Sequence, residues 1–208
     1  MMRGIALALV LALSAACQSF STVGRARTLD PGRVEVWLAP QALVVATDGG
    51  ASIRPVGEAG LRYGLTRVVE LDGKVTTLGV SLGPRLQLRR SPSATRGIDL
   101  ALAPAVAWTY RDKLAVELPL LLGINLPGQH QIVLGPRLVW QATLATAPGP
   151  VSFLYAGLSV GVALRVGPRF WLMPEVAALT QVYAEPGYSS NVAGAVGLQA
   201  GIGLLFDP

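Results

Sequence analysis

The feature that most constrains this chain is a period of two that runs, with interruptions, from Arg33 towards the C-terminus. Over 78–89, Leu78, Val80, Leu82, Pro84, Leu86 and Leu88 share one phase, while Gly79, Ser81, Gly83, Arg85, Gln87 and Arg89 share the other. Only an extended strand sends alternate side chains to opposite faces. The alternation recurs over 98–109 and 114–125. Turn-rich separators ("TDGGAS", "YRDK", "LPGQH", "TAPGP", "AEPGYSS") divide the remainder into strands at 34–46, 55–64, 66–75, 131–144, 151–165, 170–183 and 191–206. The expected count is ten, or eight if Asp72-Gly73 is itself a turn.

Three related motifs test this reading: "LGPRL" at Leu82–Leu86 and at Leu134–Leu138, and "VGPRF" at Val166–Phe170. Gly-Pro ordinarily marks a turn. A two-residue turn at Gly83-Pro84 would make Leu82 and Arg85 cross-strand partners and flip the apolar phase. The phase does not flip at either "LGPRL", so both belong inside strands. The third motif divides an apolar-rich stretch, 151–182, that would extend for ~105 Å against a bilayer core of ~30 Å. It is read as a turn. The in-strand prolines (Pro40, Pro84, Pro104, Pro119, Pro136, Pro174) remove ladder donors, and a bulge at each Gly-Pro pair is the expected relief.

Composition says which face meets what. Hydrophobic residues make up 51% and charged residues only 14%, against about 25% charged in soluble domains. Past the N-terminus no apolar run approaches the ~20 residues of a spanning helix. The less apolar face carries Gly, Ala and Ser with isolated charges: Glu35, Glu58, Glu70, Asp72, Asp99, Glu117 and Glu175, beside Arg62, Lys74, Arg85, Arg89, Arg137 and Arg165. Small residues with nearly balanced charges suit the lumen of a narrow barrel, where buried charges persist only if paired. Glu58, Arg62, Arg85, Arg89, Glu117, Arg137, Arg165 and Glu175 form the candidate lumen network. Arg85, Arg89, Arg137 and Arg165 are available to Glu58, Glu117 and Glu175, with the individual pairs left open. Tyr63, Trp108, Trp140, Phe170 and Phe206 fall on the opposite face near strand ends, where aromatic girdles belong. The expected fold is all-β: an antiparallel up-and-down transmembrane β-barrel of about ten strands.

Net charge is +5 and the pI about 9.9, yet the bases are scattered singly apart from Arg89-Arg90. No basic stripe of the kind that grips nucleic acid is present in the sequence. One cysteine and one histidine leave no metal-ligand cluster. His130, in "PGQHQ", is read as a solvated turn histidine; Ser152 and Ser159 lie on the following hairpin and nothing fixes a triad. No catalytic, cofactor-binding or metal residue is assigned, and the chain is read as a non-enzyme.

The N-terminus "MMRGIALALVLALSAAC" has a basic residue, an apolar segment and small residues, the pattern of a secretory signal. With Cys17 directly after Ser14-Ala15-Ala16, it resembles a bacterial lipoprotein signal, although Ser14 stands where that family usually has Leu. The resemblance implies an acylated Cys17 and, through Gln18 at the second mature position, passage to the outer membrane. Ordinary cleavage after Ala16 is the alternative. The expected organisation is signal 1–16, lipidated tether 17–33 and barrel 34–208. "GLRYGLTRVVEL" (60–71), "FWLMPEVAAL" (170–179) and the final "GIGLLF" resemble strands of the small outer-membrane β-barrel proteins of Gram-negative bacteria, with Asp207-Pro208 following the usual terminal aromatic. That resemblance implies an outer-membrane location, a lipid anchor on the periplasmic side, and as partners outer-membrane lipid and the barrel-assembly and lipoprotein-processing machinery; it names no protein partner. The function implied is that of a non-enzymatic barrel lipoprotein with a structural, narrow-pore or interaction role. The alternative is a periplasmic lipoprotein whose soluble β-barrel or sandwich binds an apolar ligand.

Overall fold

A computed structural model describes residues 21–47, 50–109, 113–144, 151–185 and 196–208. Its strands are β1 (Val34–Thr47), β2 (Gly50–Gly64), β3 (Val69–Thr76), β4 (Gly79–Arg89), β5 (Gly97–Leu102), β6 (Ala105–Thr109), β7 (Lys113–Leu126), β8 (His130–Thr143), β9 (Val151–Gly167), β10 (Phe170–Ala184) and β11 (Val196–Phe206). β5 and β6 are two segments of one stave, parted at Ala103-Pro104 and both lying between β4 and β7. Every pairing is antiparallel, and β1 pairs with both β2 and β11. With β3 also joined to β2 and β4, the sheet closes on itself. The chain is an antiparallel up-and-down barrel of ten staves. Asp72-Gly73 lies inside β3, opposite Gly83 and Leu82, so the count of eight is ruled out. The signal segment, Cys17 and residues 191–195 of the last expected strand lie outside the described residues.

β1 begins and β11 ends side by side, with Val36 opposite Phe206. We call this end the near mouth; the connections 65–68, 90–96, 127–129 and 168–169 also lie there.

The Gly-Pro motifs divide as the phase argument requires. Gly83-Pro84 lies within β4 and Gly135-Pro136 within β8, while Pro168-Arg169 joins β9 to β10. The expected bulges are not where the prolines are. Register shifts fall at Gln87/Arg89, Phe170/Trp171 and Gln181/Tyr183. The prolines are accommodated differently, by thinning one ladder at a time. A residue in an antiparallel sheet directs its N–H to a single neighbour, so a proline deprives only that neighbour. Pro84 faces the break between β5 and β6, which Pro104 itself creates. Across β7 and β8 the pairing lapses between Pro119–Arg137 and Leu122–Leu134, yet Pro136 remains paired to Leu158 of β9. The Ala103 N–H is satisfied by the Pro119 carbonyl at 3.0 Å.

The wall is apolar outside and charged inside. Leu82 is 64% exposed and Arg85, three residues on, only 2%. Leu138 is exposed and Arg137 buried; Leu86 and Leu134 are half-exposed on the outer face. Tyr63, Phe170 and Phe206 form an outer aromatic group at the near mouth, with the two Phe rings 4.8 Å apart. Trp108 and Trp140 stand on the outer face towards the other end. Trp37 and Trp171 point inward and pack in an internal apolar cluster with Leu121, Val133, Met173 and Leu205. A second internal cluster, including Leu43, Val56, Val139 and Leu179, fills the opposite half. Gly60 opens the wall for Trp37, since a Cβ there would collide with the indole ring.

Candidate functional site: a lumen filled by the N-terminal segment

Residues 21–30 occupy the lumen. The chain enters at the near mouth, where Gly32 N–H donates to the Gly64 carbonyl at 2.8 Å, and runs inward as residue number falls. The extended backbone has no neighbouring strand, so its polar groups need side-chain partners. The wall supplies them at regular intervals. Leu29 N–H donates to Glu70 Oε2 at 2.8 Å, Thr28 N–H to Gln87 Oε1 at 2.6 Å and Ala26 N–H to Gln131 Oε1 at 2.8 Å. Deeper in, Gly24 N–H meets Met173 Sδ at 3.2 Å and Thr22 N–H donates to Glu175 Oε1 at 2.8 Å. The carbonyls are served too: Arg85 Nη1 donates to Arg25 O at 2.6 Å, and Lys74 Nζ to Ser21 O at 3.1 Å. Val23 and Ala26 are buried in the first internal apolar cluster, and Leu29 is buried nearer the mouth. The stretch expected to be a free tether is thus, over its described part, a component of the barrel interior.

Around the segment lies a connected set of charges. Arg62 bridges Glu35 and Glu70, reaching the latter at 3.1 Å, and none of the three side chains is exposed. Arg85 lies 3.2 Å from Glu70 and 2.6 Å from Asp72. Arg25, from the inserted segment, pairs with Glu35 at 2.7 Å and stacks 4.0 Å above the Trp171 ring. Such a chain of alternating charges is how a narrow lumen tolerates ions. Asp99 anchors a neutral extension, accepting from Ser91 N–H at 2.7 Å, Asn125 Nδ2 at 2.8 Å and Gln131 Nε2 at 3.1 Å.

Of the eight residues read as a lumen network, Glu58, Arg62, Arg85, Glu117, Arg137 and Glu175 are buried inside. Arg89 is not: the register shift between Gln87 and Arg89 reverses the phase at the end of β4 and leaves it exposed at the near mouth. Arg165 sits at the rim, where it bonds Gln129, Gly167 O at 3.1 Å and Pro168 O at 2.9 Å. The pairings also differ. Arg85 pairs with Glu70 and Asp72, its neighbours on the adjacent strand, in place of Glu58, Glu117 and Glu175, and Arg62, for which no partner was expected, takes Glu35 and Glu70. Glu58, Glu117 and Glu175 surround Arg137 electrostatically, and Arg137 Nη2 reaches Thr22 Oγ1 at 3.5 Å. Glu58 accepts from Gln199 Nε2 at 3.2 Å. Alternation already placed Glu35, Glu70, Asp72, Asp99 and Lys74 inside. Arg25 and Thr22 were hidden because residues 18–33 carry no strand period to assign a face.

His130 is a structural acceptor in place of the solvated group expected: its Nδ1 receives the Arg165 N–H at 3.0 Å. Ser159 is engaged by Thr22, with the hydroxyl oxygens 2.7 Å apart, and Ser152 lies near the far end of β9 beside Glu185. The three residues are not brought together. A cavity of about 50 Å³ lined by Ser21, Thr22, Asp72, Lys74 and Glu117 has room for a few waters. Among the described residues no group of His, Cys, Asp and Glu could hold a metal ion.

No family model matches the sequence, and no curated protein matches it. Solved structures do match. An outer-membrane channel from Pseudomonas putida is 11% identical with a TM-score of 0.58, covering 90% of this chain and 100% of that one. The outer-membrane protease OmpT from Escherichia coli is 9% identical with a TM-score of 0.52, covering 88% and 100% respectively. At such identities the likeness is one of fold: this chain is similar to outer-membrane barrels in architecture.

Proposed function

We propose that this chain is a non-enzymatic outer-membrane β-barrel whose lumen is held shut by its own N-terminal segment, and that it serves a structural or interaction role with no wide channel. One observation carries the reading: the wall is inverted relative to a water-soluble protein. Exposed leucines, valines and aromatics cover the outside of the staves, while the wall's carboxylates and arginines such as Glu35, Arg62, Glu70 and Arg85 are buried inside. Exposed apolar surface on that scale costs about 25 cal/mol per Å² in water, and a bilayer removes the cost. The soluble alternative requires a lumen with space for an apolar ligand. Residues 21–30, the charges and the two internal tryptophans fill that space. The longest link between strands, from Ala184 to Val196, joins strand ends at the mouth opposite the termini, as in bacterial barrels with short periplasmic turns and longer external loops. The near mouth is accordingly assigned to the periplasm.

Acylation of Cys17 rests on the signal segment alone. Cys17 itself lies outside the described residues, four positions before Ser21.

The deciding experiment is folding of the mature chain from urea with and without detergent, followed by gel migration before and after boiling. A detergent-dependent, heat-modifiable band is expected. A monodisperse folded protein without detergent would sink the reading. Mass spectrometry of the N-terminal peptide decides acylation separately; an unmodified Cys17 removes the lipoprotein assignment and leaves the barrel untouched.

A further inference from the structure

The basic residues that look scattered along the sequence are gathered by the topology. Three of the four connections at the near mouth carry exposed arginines: Arg67 between β2 and β3, Arg89 and Arg96 flanking the link from β4 to β5, and Arg169 between β9 and β10. None of the four makes an ion pair among the described residues. Of the acids described at this end, Asp30 and Asp207 are already bound at 2.7 Å to Arg90 and Arg33, and Glu35, Glu70 and Asp99 are buried inside the lumen. Four exposed arginines with no acidic partner among the described residues thus stand on one rim. The rim also has a defined height. Arg169 directly precedes Phe170, and Arg67 lies four residues beyond Tyr63, so the guanidinium groups stand just outside the outer aromatic group.

We propose that this collar binds the phosphate groups of anionic lipids in the adjoining leaflet. The proposal rests on the membrane-spanning reading above. Aromatic side chains at a barrel end mark the level of the headgroups. A guanidinium placed there, uncompensated by any acid, presents a fork of N–H donors that matches phosphate oxygens. A collar spread over several staves engages several lipids around the circumference, in place of one ligand in one pocket. The alternative reading of exposed arginines as merely solvated predicts no preference among lipids.

The test uses the mature chain reconstituted in phosphatidylcholine vesicles with a trace of spin-labelled lipid, measuring the motionally restricted fraction by electron paramagnetic resonance. Spin-labelled phosphatidylglycerol should associate roughly fivefold more strongly than spin-labelled phosphatidylcholine at low salt, about the attraction expected of one basic residue per headgroup. The preference should fall towards one at high salt. It should also be lost when Arg67→Gln, Arg89→Gln, Arg96→Gln and Arg169→Gln are combined, and be kept in Lys113→Gln at the other mouth. Equal association of the two lipids with folded wild-type protein overturns the proposal, as does a preference that survives the four substitutions. Should the combined variant fail to fold, a wild-type preference insensitive to salt overturns it equally. Loss of preference to inorganic phosphate at matched ionic strength, where chloride has no such effect, would assign the collar to free phosphate and also overturn it. Restricted lipid of neither kind means that the barrel does not span, which removes the underlying reading and this one with it.

Discussion

The lodging of the N-terminal segment makes a quantitative prediction at Glu35. This carboxylate is fully buried and has two cationic partners, Arg62 from β2 and Arg25 from the inserted segment. Removing the sole partner of a buried charge costs about 3–5 kcal/mol. Arg62→Met does not do that, because Glu35 keeps Arg25 at 2.7 Å and Glu70 keeps Arg85 at 3.2 Å. Its expected cost is therefore smaller, about 2 kcal/mol. Arg25→Ala leaves Glu35 with Arg62 and loses the stack on Trp171, at about 1–2 kcal/mol. In the double variant Glu35 faces no cation, and the loss should exceed the sum of the two by about 1–3 kcal/mol. Adding Glu35→Gln should return most of that excess, because the orphaned charge is gone. The assay is guanidinium unfolding in vesicles followed by tryptophan fluorescence, with the heat-modifiable band as a second probe. Additivity within about 0.5 kcal/mol would refute the reasoning, since Arg25 would then have no contact with Glu35 and the segment would lie elsewhere.

Three further outcomes follow from the same geometry. Leu138→Arg, on the exposed outer face, should impair folding into vesicles by about 2–4 kcal/mol, and Gln141→Arg, on the inner face, by much less; equal effects in gel-shift folding yields would mean that the outer face does not meet lipid. Gly60→Ala should cost about 1–3 kcal/mol by driving a methyl group into Trp37, and Trp37→Leu in the same chain should recover part of it; an unchanged unfolding midpoint would show that the indole is not lodged there. Deleting residues 18–30 should convert a barrel that is silent in planar bilayers into one with small, steady conductance; a wild-type protein with large porin-like conductance would contradict the closed lumen.

Most of the wall was legible in the sequence because a barrel repeats one simple rule. Each stave of 78–89, 98–109 or 114–125 must send every second side chain towards lipid, so the phase of Leu82, Leu86, Leu134 and Leu138 was enough to put Arg85 and Arg137 inside. The same rule resolved the Gly-Pro motifs. It failed where the ladder is irregular, at Arg89, because one shifted residue reverses the face and leaves no compositional trace. The pairing of the lumen charges was illegible for another reason. Which arginine meets which carboxylate depends on the register between strands, and Arg62 finds Glu35 and Glu70 only because β2 lies between β1 and β3 with Arg62 opposite Glu35 and Asp72.

The inserted segment explains a balance that the strands alone misstate. Counting by alternation gives seven acids and six bases on the inner face, which looks self-sufficient. With Arg89 outside and Arg165 at the rim, the wall retains Glu35, Glu58, Glu70, Asp72, Asp99, Glu117 and Glu175 against Arg62, Lys74, Arg85 and Arg137. A low-dielectric lumen does not hold such a surplus of carboxylates cheaply. Residues 21–30 bring Arg25 and Arg27 into that space, and their backbone N–H groups at Thr22 and Leu29 donate to Glu175 and Glu70. Cationic side chains and oriented amides thus supply what the wall lacks. Vacating the lumen would uncover an acidic channel, so the conductance expected on deleting 18–30 should favour cations over anions. An anion-selective current would show that the excess carboxylates are neutralised by something other than the segment.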